Sequence, residues 1–119
     1  MPPAPGPEIH GDGLTVGIHL DAGTIVVRLT GTLDRAGRAT LLRVVGRAVR
    51  SGDGEVVVDC AGLTGHDDAG IDALAALVHL PGVRSVHLRH VAPALGHRLD
   101  EAGLAPRLHL PAPAAALTR

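Results

Sequence analysis

The alternation of apolar and polar positions predicts two strands followed by a helix in the first half of the chain. Apolar residues occupy every second position over residues 14–20, which is typical of a half-buried strand, and the more apolar run 24–29 predicts a second strand. Over residues 35–50 the apolar positions recur every three or four residues, as on one face of a helix. Asp34 precedes this run and is a favourable N-cap residue.

The middle of the chain has the pattern strand, loop, helix. A run of β-branched residues predicts a central strand over residues 56–59, and two glycines predict a loop over residues 61–67. The apolar residues that follow are spaced as on one face of a helix over residues 68–80. The residues predicted to be buried on that face are Ile71, Leu74, Ala75 and Val78.

Three further elements complete the pattern. Residues 85–88 predict a short strand, residues 93–102 have leucines four positions apart as in a helix, and residues 107–110 predict a last strand. The resulting order is β-β-α-β-α-β-α-β. This order predicts an α/β fold with a mainly parallel or mixed sheet that is flanked by crossover helices.

The length of 119 residues suits a single domain with one core. We assign this domain to residues 12–110 and predict flexible tails at residues 1–11 and 111–119. Because the chain has no Phe, Tyr or Trp, its core must be built from small aliphatic side chains. The single cysteine, Cys60, excludes an internal disulfide and argues against a cysteine-based zinc site.

Charge and hydropathy argue against several classes of protein. The formal net charge is −1, which gives no global field for attracting nucleic acid or an anionic membrane. The absence of aromatic residues removes the usual stacking platform for single-stranded nucleic acid. No run approaches the roughly 20 apolar residues that span a bilayer, and residues 1–7 have neither the basic nor the apolar segment that is typical of a signal peptide. The sequence therefore predicts a soluble, cytoplasmic protein.

Four short motifs together resemble the STAS domains of bacterial anti-sigma factor antagonists. They are the Gly-Thr-Leu-Asp turn at 31–34, the Val-Val-Val-Asp strand at 56–59, the Asp-Asp-Ala-Gly helix start at 67–70 and the Leu…Gly-Leu pattern at 99–104. The resemblance lies in their order and spacing and extends over residues 12–110.

This resemblance implies a function and a mode of regulation. In that family the helix start reads Asp-Ser-Ser-Gly or Asp-Ser-Ala-Gly, and an anti-sigma kinase phosphorylates the second serine of the first form. The unphosphorylated antagonist binds the anti-sigma factor and frees a sigma factor, whereas the phosphate blocks binding. Here Asp67 and Gly70 match the family, Asp68 replaces the first serine, and Ala69 occupies the phosphoacceptor position. Alanine has no hydroxyl group, so this position cannot be phosphorylated.

By resemblance, the chain is predicted to be a non-catalytic protein-binding module in the partner switching that regulates bacterial transcription. Its implied partner is an anti-sigma factor with a kinase-type ATPase domain, and the implied function needs no cofactor, metal ion, direct nucleic-acid contact or membrane insertion. The implied contact surface is the 31–34 turn, the 61–67 loop and the start of the 68–80 helix. The predicted partner-binding residues are Asp34, Thr64, His66, Asp67, Asp68, Ala69, Gly70 and Asp72.

Two other functions are compatible with the same residues. A STAS accessory subunit of a membrane system for lipid transport would bind a cytoplasmic ATPase subunit instead of an anti-sigma factor. A metal-dependent enzyme would need convergent ligands or acid–base groups, and adjacent side chains diverge rather than converge. The residues available for such a cluster are His66, Asp67, Asp68 and Asp72.

Several residues have both a structural and a functional interpretation. Asp67 and Asp68 can cap the helix and complement its dipole. Asp68 can also mimic the missing phosphate, but we expect it to turn back on the free amides of the helix start. Asp59 can order the amides that follow it or take part in recognition. One face of the first predicted helix carries Arg43, Arg47 and Arg50. This face is either solvated or binds an acidic partner or lipid headgroups.

Overall fold

The computed structural model describes residues 8–11, 13–104 and 106–108. Over these residues the chain forms five strands and three helices. The strands are β1 Glu8–Gly11, β2 Leu14–Asp21, β3 Thr24–Leu33, β4 Glu55–His66 and β5 Ser85–Arg89, and the helices are α1 Arg35–Ala48, α2 Asp68–Leu77 and α3 Pro93–Glu101.

These five strands form one mixed sheet in which each strand pairs with the next one along the chain. β1, β2 and β3 are antiparallel neighbours, whereas β3, β4 and β5 are parallel. The β2–β3 hairpin turns at Ala22 and Gly23, whose φ angles of 52° and 89° suit a tight two-residue turn. α1 and α2 provide the crossovers that the two parallel pairs require. The predicted α/β fold with a mixed sheet is therefore confirmed.

The core lies between one face of the sheet and the helices. On β4 the buried residues alternate, with Val56, Val58 and Cys60 inside and the residues between them only half-buried. α1 and α2 pack against each other, and Leu41 and Leu74 are fully buried at their inner faces. Among the described residues the core cluster consists of aliphatic side chains and one thiol, so its stability depends on the close packing of many small groups.

Two segments predicted as a turn and a loop continue the strands instead. Residues 31–33 belong to β3, and residues 61–66 belong to β4. Gly62 lies so close to β3 that an added Cβ would be 2.8 Å from the carbonyl oxygen of Leu29. Two register shifts interrupt the pairing of β3 with β4 in the same region. The glycines therefore mark close approach and irregular strand pairing, which a sequence pattern does not distinguish from a loop.

The two ends of the domain also differ from expectation. Residues 8–11, which the sequence places in a flexible tail, form β1 and pair with β2. At the other end a strand is predicted over 107–110, but Arg107 and Leu108 lie in a turn. The rest of that strand and the predicted tail at 111–119 lie outside the described residues.

The three helices begin at the predicted residues and end earlier than predicted. Their last residues are Ala48, Leu77 and Glu101, where the sequence pattern predicts residues 50, 80 and 102. Such small differences arise because the last turn of a helix has carbonyl groups without helical partners and frays readily.

The buried face of α2 agrees in part with the prediction. Ile71 and Leu74 are buried, whereas Ala75 and Val78 are only half-buried. Ala73 and Leu77 are fully buried as well. The core-facing stripe is therefore centred closer to Ala73 and Leu77 than the spacing of apolar residues implies, because an alanine-rich helix leaves the centre of its apolar face poorly defined.

Gly46, on the outward side of α1, leaves room for a stabilising substitution. Nothing lies within 4 Å of a Cβ added there. We expect Gly46→Ala to raise the free energy of unfolding by about 1 kcal/mol, the usual difference between glycine and alanine in a helix. Urea denaturation measures this change. Gly37→Ala on the same helix is the control and should destabilise, because its Cβ would lie 2.8 Å from Cδ2 of Leu14. Equal effects of the two substitutions would contradict this account.

Candidate functional site

Two strand-to-helix turns lie side by side at one edge of the sheet. β3 is followed by Asp34 and α1, and β4 is followed by Asp67 and α2. Leu33 and His66, the last residues of the two strands, are paired in the parallel register. The backbone N–H of Asp67 donates to the carbonyl oxygen of Leu33 at 3.2 Å, which ties the turns together. We refer to residues 31–34 and 64–72 together as the helix-start surface.

Both turns are built in the same way. The side chain of Asp34 accepts a hydrogen bond from the N–H of Gly37, and that of Asp67 accepts one from the N–H of Gly70, each at 2.9 Å. Each aspartate has extended backbone angles, as expected of an N-cap residue. Each cap satisfies one of the free amides of its helix and contributes about 1 kcal/mol.

Gly70 allows α2 to start against the end of β3. It is buried, and a Cβ added to it would lie far inside van der Waals contact of the carbonyl oxygen of Leu33. That oxygen also accepts the hydrogen bond from Asp67. The position thus requires glycine because of close backbone packing, which explains the Gly that ends the Asp-Asp-Ala-Gly sequence.

The sequence predicts that the side chain of Asp68 turns back on the helix amides, but the structure shows a different contact. Its side chain is 86% exposed and pairs with the guanidinium group of Arg98 on α3. The hydrogen bond from Arg98 to Asp68, together with the charge of Asp68, raises the pKa of Arg98. Asp67 therefore provides the cap, while Asp68 links the first turn of α2 to α3.

The other predicted residues lie around these two aspartates. Ala69 is half-buried in the first turn of α2, and Asp72 is exposed one turn further along. Thr64 is exposed and His66 half-buried at the end of β4. The helix-start surface therefore presents the carboxylates of α2 beside a small half-buried alanine.

The structure adds α3 to this region. A cavity of about 120 Å³ separates the end of β4 from the start of α3. Its lining consists of Cys60, Leu63, Thr64, Gly65, His66, Ala92, Ala94 and Leu95. In the sequence, Arg98 and the cavity residues from α3 come more than twenty residues after the start of α2. No spacing of residues in the sequence indicates that α3 lies close to the start of α2. The burial of Cys60 raises the pKa of its thiol to about 12, so the thiol is protonated at neutral pH.

Asp59 has a structural role at the middle of β4. Its carboxylate accepts a hydrogen bond from the N–H of Ala61 at 3.0 Å and contacts Nδ1 of His90 at 3.0 Å. Burial alone would raise the pKa of Asp59, but the hydrogen bond from Ala61, the contact with His90 and the charge of Arg28 together lower it. The carboxylate joins β4 to the residue that follows β5.

The lowered pKa of Asp59 predicts an acid-dependent loss of stability. A carboxylate with a lower pKa in the folded state stabilises the protein above its unfolded pKa of about 3.9, and this stabilisation is lost as the pH falls through the folded pKa. We expect Asp59→Asn to destabilise the protein at neutral pH, with the difference from wild type shrinking below about pH 4. Denaturant titrations from neutral pH into the acid range measure this difference. A constant difference across that range would contradict the assignment.

The described residues give no indication of a metal site or a membrane span. Over 8–11, 13–104 and 106–108, no group of three His, Cys, Asp or Glu side chains is placed to hold a metal ion. Asp67 and Asp68, two members of the cluster considered from the sequence, are engaged with Gly70 and Arg98. No helix in this part of the chain is long and apolar enough to cross a membrane.

Comparison with known proteins agrees with this geometry. A family model described as Mlab, STAS domain, matches residues 16–110. An anti-sigma factor antagonist from Mycobacterium paratuberculosis has a similar structure, with a TM-score of 0.67 and 25% identity over 90% of this chain and 93% of that one. Among curated proteins, none matches the sequence.

Two more solved structures share the fold at lower identity. The unphosphorylated form of the anti-sigma factor antagonist SpoIIAA has a TM-score of 0.61 and 18% identity, over 86% of this chain and 92% of that one. The murine Slc26a9 anion transporter in its inward-facing state has a TM-score of 0.62 and 20% identity, over 77% of this chain and 16% of that one. Since the family model covers most of the chain and the antagonist structures share its fold, the protein belongs to the STAS domain family, with the fold of the anti-sigma factor antagonists.

Proposed function

We propose that the protein is a non-catalytic, cytoplasmic binding module that acts as an anti-sigma factor antagonist. The observation that carries this proposal is the turn at residues 67–70, which occupies the family's phosphorylation position. Asp67 caps the helix there, Gly70 permits its close approach to β3, and Asp68 and Asp72 are exposed. The membership of the STAS family and the likeness to an antagonist of 25% identity support the same function.

The proposed partner is an anti-sigma factor with a kinase-type ATPase domain. The α2 part of the helix-start surface carries several carboxylates and no lysine or arginine between positions 64 and 72. Asp67 and Asp68 are engaged with Gly70 and Arg98, so the small, half-buried Ala69 is the position that a partner could pack against closely, and an added charge there would be unfavourable. The two adjacent turns would be contacted together, since they open at the same edge of the sheet.

We propose further that binding is not controlled by phosphorylation at this turn. Ala69 has no hydroxyl group, so it cannot accept a phosphate. A phosphate carries about −1.5 to −2 charges and three acceptor oxygens. Asp68 carries one carboxylate, stands one residue earlier and is paired with Arg98, which compensates its charge. This pairing favours a domain that binds without phospho-control over one in which Asp68 permanently mimics the phosphate.

The absence of catalysis is also part of the proposal. Its support is that the carboxylates at the start of α2 serve as a cap and an ion pair, and that the Cys60 thiol is buried and protonated. Hydrolytic turnover that disappears in Asp67→Asn or Asp68→Asn, with the fold intact, would refute this part.

The test begins with capture of partners from the native host, followed by isothermal titration calorimetry with the purified candidate. We expect an anti-sigma factor with an ATPase-type domain, bound tightly by the protein as purified and without prior kinase treatment. Ala102→Glu, at the far end of α3, is a control that should bind like wild type. If a transporter's ATPase subunit binds instead and no anti-sigma factor does, the protein is an accessory transport subunit and the proposal fails.

A further inference from the structure

We propose that the outward face of α1 is a docking surface for anionic lipid headgroups at a bilayer. This arginine face is separate from the helix-start surface and independent of the proposed function. It consists of Arg35 and Arg38 in the first turn of α1, Arg43 and Arg47 further along the helix, and Arg50 just after its end.

The charges of the arginine face are concentrated and unpaired. All five side chains are exposed, and none of their guanidinium groups takes part in an ion pair or a side-chain hydrogen bond within the described residues. No acidic residue occurs between positions 35 and 52, although the whole chain has a net charge of −1. By contrast, Arg84 and Arg98 contact a backbone carbonyl and a carboxylate. A strong local field therefore exists on a chain that is nearly neutral overall.

The geometry of α1 places three of these charges on one side. Successive residues are about 100° apart, so Arg43, Arg47 and Arg50 project from the side opposite the buried Leu41 and Val45. Arg35 and Arg38, in the first turn of the helix, lie on its flank. The helix has 14 residues and a length of about 21 Å. The positions beside Arg43, Arg47 and Arg50 on the helix surface hold small residues, namely Ala36, Ala39 and Gly46. The guanidinium groups of Arg43, Arg47 and Arg50 can thus reach one plane without obstruction by a large neighbour.

The composition of this face favours a lipid surface over a protein or nucleic acid. The exposed side chains of this face are arginines and small residues, so an occupant would be held there mainly by charge. A nucleic acid has phosphates at fixed positions along its backbone, whereas lipids do not. Anionic lipids diffuse within the bilayer and can gather beneath the arginines alone. The contact would be peripheral, since each basic residue near an anionic leaflet adds a modest, salt-dependent attraction.

The test is co-sedimentation of the full-length protein with phosphatidylcholine vesicles, with and without phosphatidylglycerol. We expect binding at low salt only when phosphatidylglycerol is present, and its loss at about 1 M salt, where the Debye length is ~3 Å. Replacing Arg43, Arg47 and Arg50 together by glutamine should lower the partition coefficient on the order of 100-fold, because each contributes about fivefold.

A matched variant separates this local surface from net charge. The matched variant replaces three arginines that are exposed elsewhere, Arg84, Arg89 and Arg107, by glutamine. It has the same net charge as the first triple variant, and we expect it to bind vesicles within about twofold of wild type. Circular dichroism and thermal unfolding confirm that both triple variants are folded. Absence of vesicle binding by wild type, equal losses in the two variants, or tighter binding to duplex DNA than to vesicles at the same salt would overturn the proposal.

Discussion

Replacing Gly70 by alanine is expected to lower the free energy of unfolding by about 3 kcal/mol or more. The added Cβ would clash with the carbonyl oxygen of Leu33, and this obstacle is backbone rather than the movable end of a side chain. The same oxygen accepts the N–H of Asp67, so a shift that relieves the clash would weaken the link between the two turns. The substitution therefore strains the fold and the helix-start surface together.

Guanidinium chloride denaturation of wild type and Gly70→Ala measures this effect. Gly46→Ala is the matched control, because it makes the same chemical change in a helix where the space is open. The two variants should shift the denaturation midpoint in opposite directions. A Gly70→Ala variant as stable as wild type would mean that α2 does not approach β3 this closely.

Ala69→Glu is expected to weaken binding of the proposed anti-sigma partner by about 100-fold, since an unfavourable charge in an interface costs several kcal/mol. Ala69 lies beside the carboxylates of Asp67, Asp68 and Asp72, so a fourth carboxylate adds local repulsion and must be desolvated on binding. Calorimetry or biolayer interferometry measures the affinity. Ala69→Gln is the control, because it adds nearly the same volume without charge and should cost much less. If both substitutions weaken binding equally, size rather than charge governs this position.

Asp68→Ser distinguishes the two interpretations of the acidic residue. Because Asp68 is paired with Arg98, we expect the serine variant to bind within a few-fold of wild type. Arg98→Gln would leave the Asp68 charge uncompensated and should weaken binding modestly. A serine variant that binds far more tightly than wild type would show that Asp68 acts as a phosphate mimic, and binding without phospho-control would then be wrong.

The sequence predicts the α/β class and the starts of all three helices because these depend on local chemistry. The period of apolar residues and the capping aspartates Asp34 and Asp67 are signals contained within a few positions. The glycines at 62 and 65 show the limit of such reasoning. Glycine is typical of a loop, but both residues lie in β4, and Gly62 permits close contact with β3. The identity of that neighbouring strand is not a local property.

The candidate site also combines a feature that local sequence predicts with a contact that it does not predict. The N-cap role of Asp67 follows from its place before an apolar helix, and the structure agrees. The partner of Asp68 could not be predicted, because Arg98 is thirty positions away and both side chains are exposed. The sequence pattern treats α3 as a separate element, and only the folded arrangement brings it beside the start of α2.

The short first strand has a consequence for the association of chains with one another. β1 has four residues and covers part of β2, which has eight and alternates apolar with polar positions. At the opposite edge of the sheet, β5 is also short, and the N–H of Leu88 donates to the carbonyl oxygen of Leu108. A chain that began at residue 12 would leave β2 as an open edge, with a row of free amides and carbonyls able to pair with a second molecule. Residues 8–11 therefore help to keep the sheet from extending between molecules.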